Sequence, residues 1–527
     1  MINVVIYLSC FGVEHNYRQY VRVMFLFFLG IQEGVLMNES NKSTTKNIDF
    51  KRMYGRQLIT ADYTEDELNE QTISEILTKK FAVHEKNSEE IKYLYNYYKG
   101  KQPILEKTKV VRQNINNIVL ENNALFAVEF KKGYVFGEPI QYVQRGDSAN
   151  NEVLTLNSYM TAENKHSKDM DLAEWLYVCG VAPRLVLAEK DNEESPFSIY
   201  NLDPRTSFIV YENGLGNKKL FGCTYLIKDD GTKKGTIYTK NKVYNFNGDV
   251  GKFNVKLAST KNNPDAIHIY GSVPFFEYTL NKSRMGIIEI AISMFDALNN
   301  VSSNDLDGLE QYVQSLVVFV NNDVDAQTFK ELMDLGAVKV KSESPNMPAD
   351  VKLLVNSLSH NETKVIYDRI YNNMLTILGI PAKNDKASGG DTGQARLLGE
   401  GWTMADERAK QDELSFKKTA KEELKLILNI CKKAPASEIN KLTLKDVDIK
   451  FTRNKSDNLL VKAQSLLNLK QAQIAPDIAM TVCGLFSDPN ETYYKSKDYF
   501  GDELWKESNS KLKELNDSNL SKEKIPS

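Results

Sequence analysis

The chain has 527 residues, 42% of them hydrophobic and 26% charged, a balance that fits an ordinary globular protein of about two to four domains. Lys and Arg number 67 against 70 Asp and Glu, and a net charge of −3 excludes a chain built for tight, neutralising attachment to nucleic acid, so any DNA contact must be local or loose. The five cysteines (Cys10, Cys179, Cys223, Cys431, Cys483) stand far apart without a CxxC pair, which excludes a disulfide framework and a zinc ribbon and fits a reducing compartment.

The N-terminus carries two apolar runs, "MINVVIYLSCFG" and "VRVMFLFFLGIQEGVL", on either side of a charged break. Neither reaches the ~20 apolar residues that span a bilayer, and the basic n-region and small-residue cleavage site of a signal peptide are missing. Met37 opens a polar stretch, so residues 1–36 are expected to be an upstream extension of the reading frame or an unstructured leader. Residues 37–85 are polar and lysine-rich and are expected to be mostly flexible, with one short helical candidate at 65–81.

Order is expected from about Ser88, where Ile91, Leu94, Tyr95 and Tyr98 fall at helical spacing before Gly100 and Pro103. From Asn114 the apolar positions Ile115, Ile118, Val119, Leu125 and Phe126 suggest a second helix, with Asn122 as its polar member. In "KKGYVFGEPIQYVQ" (131–144) Gly133 is expected to end that helix, and Gly137 with Pro139 to make a tight turn before a short strand. A helix at 151–179 follows, and then strands and turns over 184–278, antiparallel because their joints are short.

After Pro274 the pattern changes to long helices. Residues 284–313 carry apolar side chains at 287, 290, 291, 294, 298 and 301, then at 306, 309 and 313, opposite an acidic face of Glu289, Asp296, Asp305, Asp307 and Glu310. A compact insertion of mixed character, 314–358, separates this helix from another with Ile366, Ile370, Met374, Ile377 and Leu378 on one face, ended by Gly379 and Pro381. A small polar loop leads into a proline-free stretch from Thr392 to Lys433, whose polar run at 404–413 is too polar for one small core to wrap. A strand at 444–453, two helices at 457–473 and 476–486, and a charged tail complete the chain.

Catalytic motifs are lacking. "SGGDTGQ" fails as a P-loop because Gly393 precedes Gln394 and Ala395, no GxSxG occurs, and the five histidines are isolated. Residues 305, 307 and 310 have the chemistry to ligate a divalent cation, but acidic residues on one helix more often make a wet surface. The chain is expected not to be an enzyme and to use neither cofactor nor metal.

The stretches "YYKGKQPIL", "NINNIVLENNALFAVEFKKGYVFGEPIQY", "LDPRTSFIVYEN", "VPFFEYTLNKSRMGIIEIAISMFDALNNVSSNDLDGLEQYVQSLVVF", "SGGDTGQARLL" and "DIKFTRNKSDNLL", in this order from about residue 90 to 490, resemble the portal (head-to-tail connector) proteins of tailed bacteriophages, in the branch common among siphophages of Gram-positive hosts. The stretch at 133–142 is similar to the family's "GYLFGNPIxY" signature. Where relatives carry "iSxET" in the crown this chain has "IAPDIA" (474–479), and their "SGxAL" appears as "TGQARLL".

The resemblance implies an α+β portal fold: wing 86–283, stem helices 284–313 and 359–381, clip 314–358, tunnel loop 382–391, long helix and wing strand 392–456, crown 457–487 and tail 488–527. It also implies a ring, usually of twelve subunits, at one capsid vertex. Double-stranded DNA would pass through it in packaging and ejection. The terminase large subunit, the major capsid and scaffolding proteins, and head-completion or adaptor proteins would be partners, with no membrane. The particle would be assembled in the host bacterial cytoplasm.

On this reading Lys383, Asn384, Asp385 and Lys386 touch DNA, and Glu289, Asp296 and Asp305 line the tunnel and repel phosphate. Ile290, Met294 and Leu298 pack between subunits. The rival readings are a minor capsid or morphogenesis protein that never conducts DNA, and a phage nuclease.

Overall fold

The computed structural model describes residues 54–110, 113–145, 150–189, 194–260, 263–268, 270–313, 316–320, 350–354, 360–382, 401–435, 437–453, 459–486 and 489–500. The reading of 1–36 as an extension therefore lies outside the described residues. So do residues 321–349 of the expected insertion and the expected tunnel-loop residues Lys383, Asn384, Asp385 and Lys386.

In chain order the elements are β1 (Thr60–Ala61), α1 (Glu70–Tyr98), α2 (Asn123–Phe136), β2 (Gln141–Gln144), α3 (Asn150–Ala162), α4 (Lys165–Cys179) and β3 (Val181–Ala188). Next come β4 (Phe197–Asn201), β5 (Ser207–Glu212), β6 (Lys219–Ile227), β7 (Lys233–Tyr238), β8 (Val243–Asp249), β9 (Lys252–Leu257) and β10 (Phe275–Thr279). The C-terminal half holds α5 (Ile287–Val313), β11 (Leu316–Val320), β12 (Asp350–Leu354), α6 (His360–Leu378), α7 (Trp402–Lys433), β13 (Val447–Lys450), α8 (Leu459–Gln471), α9 (Pro476–Cys483) and α10 (Pro489–Phe500). The chain is thus mixed α and β, as expected.

One sheet runs β1-β5-β6-β7-β8-β9, antiparallel except for the parallel β1–β5 pair, and a second runs β10-β3-β4. The antiparallel expectation holds for every joined pair between β3 and β9, because short turns can only reverse a strand. β1 is a strand that the sequence reading did not propose.

The expectation of a mostly flexible segment at 37–85 is corrected for its described part, residues 54–85. α1 is one helix of 29 residues, capped by Asn69, whose side chain accepts from the Gln71 and Thr72 N–H groups. Ile73, Ile76, Leu77 and Phe81 point into the core of the six-stranded sheet, against Phe208, Phe221, Phe246 and Phe253. His84 on the same face stacks on Phe208 at 4.2 Å, and burial pushes its pKa down to about 3, so it stays neutral. A boundary at 85/86 would cut through this helix.

The stretch 131–144 also differs from expectation. Gly133 lies inside α2, which runs on to Phe136 and ends at Gly137; Pro139 then leads into β2. β2 is finished by a distant partner, pairing antiparallel with β13 so that Tyr142 faces Ile449. The helix expected at 151–179 is two, broken at Asn164, whose φ of 51° is left-handed. The tail contributes α10, which packs on α9.

Arg184 of β3 is fully buried and joins α4, α7 and, through Glu423, β10. Its guanidinium donates to Asp169 of α4 at 2.8 Å and to Glu423 of α7 at 3.4 Å, and Tyr278 of β10 donates to Glu423. Burial would raise the Asp169 carboxyl, but Lys165 and Arg184 hold it below its usual range. A charge so placed is tolerable only because every partner is present.

Candidate functional site

Two glycines set where α5 begins. A Cβ at Gly180 would lie 2.4 Å from the Met285 carbonyl carbon, and one at Gly286 would lie 2.2 Å from the Val178 carbonyl oxygen. The backbones of 178–180 and 284–286 therefore cross in contact, and Gly180, at φ +81°, also ends α4. From this crossing α5 extends for 27 residues, about 40 Å at 1.5 Å per residue.

Ile287, Ile288, Ala291, Phe295 and Leu298 are buried in the protomer, whereas Ile290, Leu306 and Leu309 are exposed and Met294 and Val301 are half-buried. The inward stripe is rotated from the one read in the sequence, by the inclusion of Ile288 and Phe295. Of the three residues expected to pack between subunits, Leu298 is 0% exposed and belongs to this protomer's own core, while Ile290, 44% exposed, is available to a neighbour. Met294 lies between these cases.

The acidic face is corrected too. Glu289 does not line an open surface: its carboxylate is buried, accepts from Arg56 at 2.8 Å and takes the backbone N–H groups of Gly55 and Gly286. Asp296, half-buried, accepts from Tyr97 at 2.8 Å. Asp305 is half-buried. Asp307 is held by Lys107 at 2.8 Å and Lys109 at 2.5 Å, and Asn117 bonds Glu310 at 2.7 Å.

The asparagine-rich stretch, expected to be helical from 114, explains this. Residues 115–122 are not helical; they run along α5 as a strap, and α2 starts only behind the cap Asn122. The N–H groups of Asn117, Val119 and Glu121 donate to Asp307 Oδ1 at 2.6 Å, Ser303 Oγ at 3.0 Å and Asn299 Oδ1 at 3.1 Å. Every second residue of the strap meets every fourth of the helix. Two extended residues advance about 6.6 Å and four helical residues about 6 Å, so the two periods stay in step for three contacts. The polar face of α5 is thus a docking track for backbone donors. No hydrophobic pattern could have shown it.

α6 packs on α5, and the strap ties both, since Tyr367 of α6 donates to Glu121 at 2.6 Å. The inward side chains of α6 are Met374, Leu375 and Leu378, with Tyr367, Ile370 and Tyr371 half-buried. Val365, Ile366 and Ile377 are exposed. Between the two helices, β11 and β12 pair antiparallel, from Leu316 opposite Leu354 to Val320 opposite Asp350.

α6 ends at Gly379, φ +65°, where a Cβ would meet the Arg408 side chain at 2.6 Å. The tunnel-loop residues expected to touch DNA follow immediately, outside the described residues. α7 resumes at Trp402 and runs for 32 residues, about 48 Å. Its polar start is covered better than expected within one protomer. Ala405 and Ala409 are buried, Arg453 pairs with Asp406 and Glu413 at 2.7 Å each, and Tyr177 donates to Asp412 at 3.2 Å. Burial pushes the Asp412 carboxyl up to about 6, against the pull of Lys131.

Two long helices packed together, an antiparallel strand pair between them in the chain and a third long helix after them make a connected series. A family model described as "Phage portal protein, SPP1 Gp6-like" matches residues 77–500. The chain belongs to the phage portal protein family. The match includes α5, α6, the strand pair, α7 and the helices behind it, and it gives this portal protein the role of a connector in a phage particle. No curated protein sequence matches the chain. Among solved structures, the neck of an empty GTA particle, computed with C6 symmetry, aligns at 10% identity and a TM-score of 0.40, over 69% of this chain and 90% of that one. That similarity is too remote to define the fold. Among the described residues of this portal protein, no helix is long and apolar enough to cross a membrane, and no group of three or more His, Cys, Asp or Glu side chains could hold a metal ion.

Proposed function

We propose that this portal protein closes into a ring of identical subunits, twelve in number, at one capsid vertex, and that double-stranded DNA passes through the ring in packaging and ejection. Membership of the family supports this, and the observation that carries it is the exposed apolar set on the two stem helices. Ile290, Leu306 and Leu309 on α5 and Val365, Ile366 and Ile377 on α6 stay outside the protomer core. Helices that leave so many large apolar side chains in water gain stability from a lateral neighbour, and a closed ring gives every subunit the same neighbour.

In this ring the segment between the stem helices, with β11 and β12 at its base, is the clip that docks the terminase large subunit and later the head-completion or adaptor proteins. The wing meets the capsid and scaffolding proteins, and the loop 382–391 meets DNA through Lys383 and Lys386. The near-neutral charge of the chain suits a channel through which DNA must slide. We read the protein as a structural conduit with no enzymatic activity or cofactor of its own. Since Glu289 and Asp307 are bound within the protomer, any phosphate-repelling lining must come from other carboxylates.

Negative-stain microscopy of the purified protein tests the assembly. Rings with a central channel are expected; monomers or closed shells at high protein concentration would overturn the reading.

A further inference from the structure

A cleft of about 1000 Å³ opens on the opposite side of α7 from the Arg184 network, between the C-terminal half of α7, the β5–β6 turn, the approach to β10 and the loop before β13. Six lysines line it: Lys218, Lys219, Lys240, Lys425, Lys432 and Lys445. Two carboxylates, Glu65 and Glu422, offset part of this charge, pairing with Lys240 at 3.0 Å and Lys219 at 2.7 Å. Asp446, beside Lys432 and Lys445, is itself engaged by the Thr443 backbone N–H at 2.9 Å and by its hydroxyl. Lys218, Lys425, Lys432 and Lys445 are all exposed at the rim. The floor is apolar, made by Tyr270, Val273, Phe276 and Leu426, with Asn429 donating to the Tyr270 carbonyl at 2.7 Å to hold it closed.

We infer that this cleft binds an acidic, partly apolar peptide segment of another protein. The size lies at the top of the usual range for ligand clefts, about 300–1,000 Å³, which suits several residues of peptide rather than one side chain. The excess of lysine at the rim selects carboxylates, and the apolar floor selects the alternate side chains of the same segment. A nucleic-acid backbone fits less well, because it would leave the apolar floor unused, whereas Glu65 and Glu422 oppose phosphate and carboxylate alike. The assignment rests on the cleft alone and stands whether or not the chain forms a ring.

The test uses the full-length protein and a fluorescent peptide of about twelve residues with alternating Glu and Leu, read by anisotropy at low salt. A Gln-for-Glu peptide and a single-stranded oligonucleotide of similar length are the comparison probes. Saturable binding of the Glu peptide, weaker for the Gln peptide and weakened by salt, is expected. Lys218→Glu with Lys425→Glu should reduce affinity about tenfold or more, since two attractions become repulsions, while Lys256→Glu on β9 should not. Lys218→Gln with Lys425→Gln should fall between, and circular dichroism of each variant should match the parent. Absence of saturable binding, binding unchanged in the double Glu variant, or tighter binding of the oligonucleotide through the same lysines would each overturn the assignment.

Discussion

Two carboxylates, Asp307 of α5 and Asp412 of α7, respond to pH in opposite directions. Burial penalises the Asp307 carboxylate, but the ammonium groups of Lys107 and Lys109 and the Asn117 amide hold its pKa below the usual range. Its contribution to stability is therefore present above the unfolded carboxylate value near 4, and is lost as pH falls through the folded value. Asp307→Ala should cost about 2–3 kcal/mol at pH 7, since it strands two lysines and a backbone donor, and the cost should shrink in acid; urea unfolding at pH 7 and pH 3 measures it. Asp412 has the reverse sign. Its folded pKa is near 6, above the unfolded 3.8, so below pH 4 both states are protonated, and stability falls as pH rises from about 4 to 6. Asp412→Asn should match the parent at pH 4 and exceed it by about 2 kcal/mol at pH 7, a figure below the full shift because the group keeps some solvent contact. A variant less stable than the parent at pH 7 would mean that the Tyr177 hydrogen bond needs the carboxylate.

At the level of the element, α5 and α6 each carry a buried and an exposed apolar set. Leu298→Ala should destabilise the protomer by about 2–5 kcal/mol, because it opens a cavity under a fully buried side chain. Ile290→Glu and Ile366→Glu change exposed positions and should leave melting of the protomer within about 1 kcal/mol of the parent while preventing ring formation. Size-exclusion chromatography with light scattering separates the cases, and normal assembly of both Glu variants would remove these faces from the interface. The periodicity of α5 was legible because burial on one side of a helix leaves a repeat near 3.6 residues. Its rotation was not, since Ile288 and Phe295 are inward only when α2 and α4 are in place. Nor was the strap, because Asn117 and Glu121 donate through their backbones, and every residue but proline carries such a donor.

For the whole molecule, the N-terminal helix sets the limits. A chain truncated to begin at residue 86 loses Ile73, Ile76, Leu77 and Phe81 from the sheet core and should be insoluble or markedly less stable, whereas one beginning at residue 54 should fold. Soluble, cooperatively melting protein from the shorter chain would show that the six-stranded sheet holds without its helix. In the assembled particle, Lys383→Ala with Lys386→Ala should leave rings intact and alter the rate or completeness of DNA packaging, or the retention of packaged DNA. Unchanged packaging and retention would remove these lysines from any action on DNA.

The sequence by itself determined the class of fold, the order of long helices around a small strand-containing insertion, and the family, because hydrophobic period, turn residues and motif order are local and survive in one dimension. Only the tertiary structure decided what the charged residues do. Glu289 looks like a surface carboxylate until Arg56, 233 positions away, folds against it, and the acidic face of α5 looks solvated until the strap covers it. The physical reason is that a charge is neutralised or exposed according to neighbours brought together by folding, whereas a helix carries its period in its own residues.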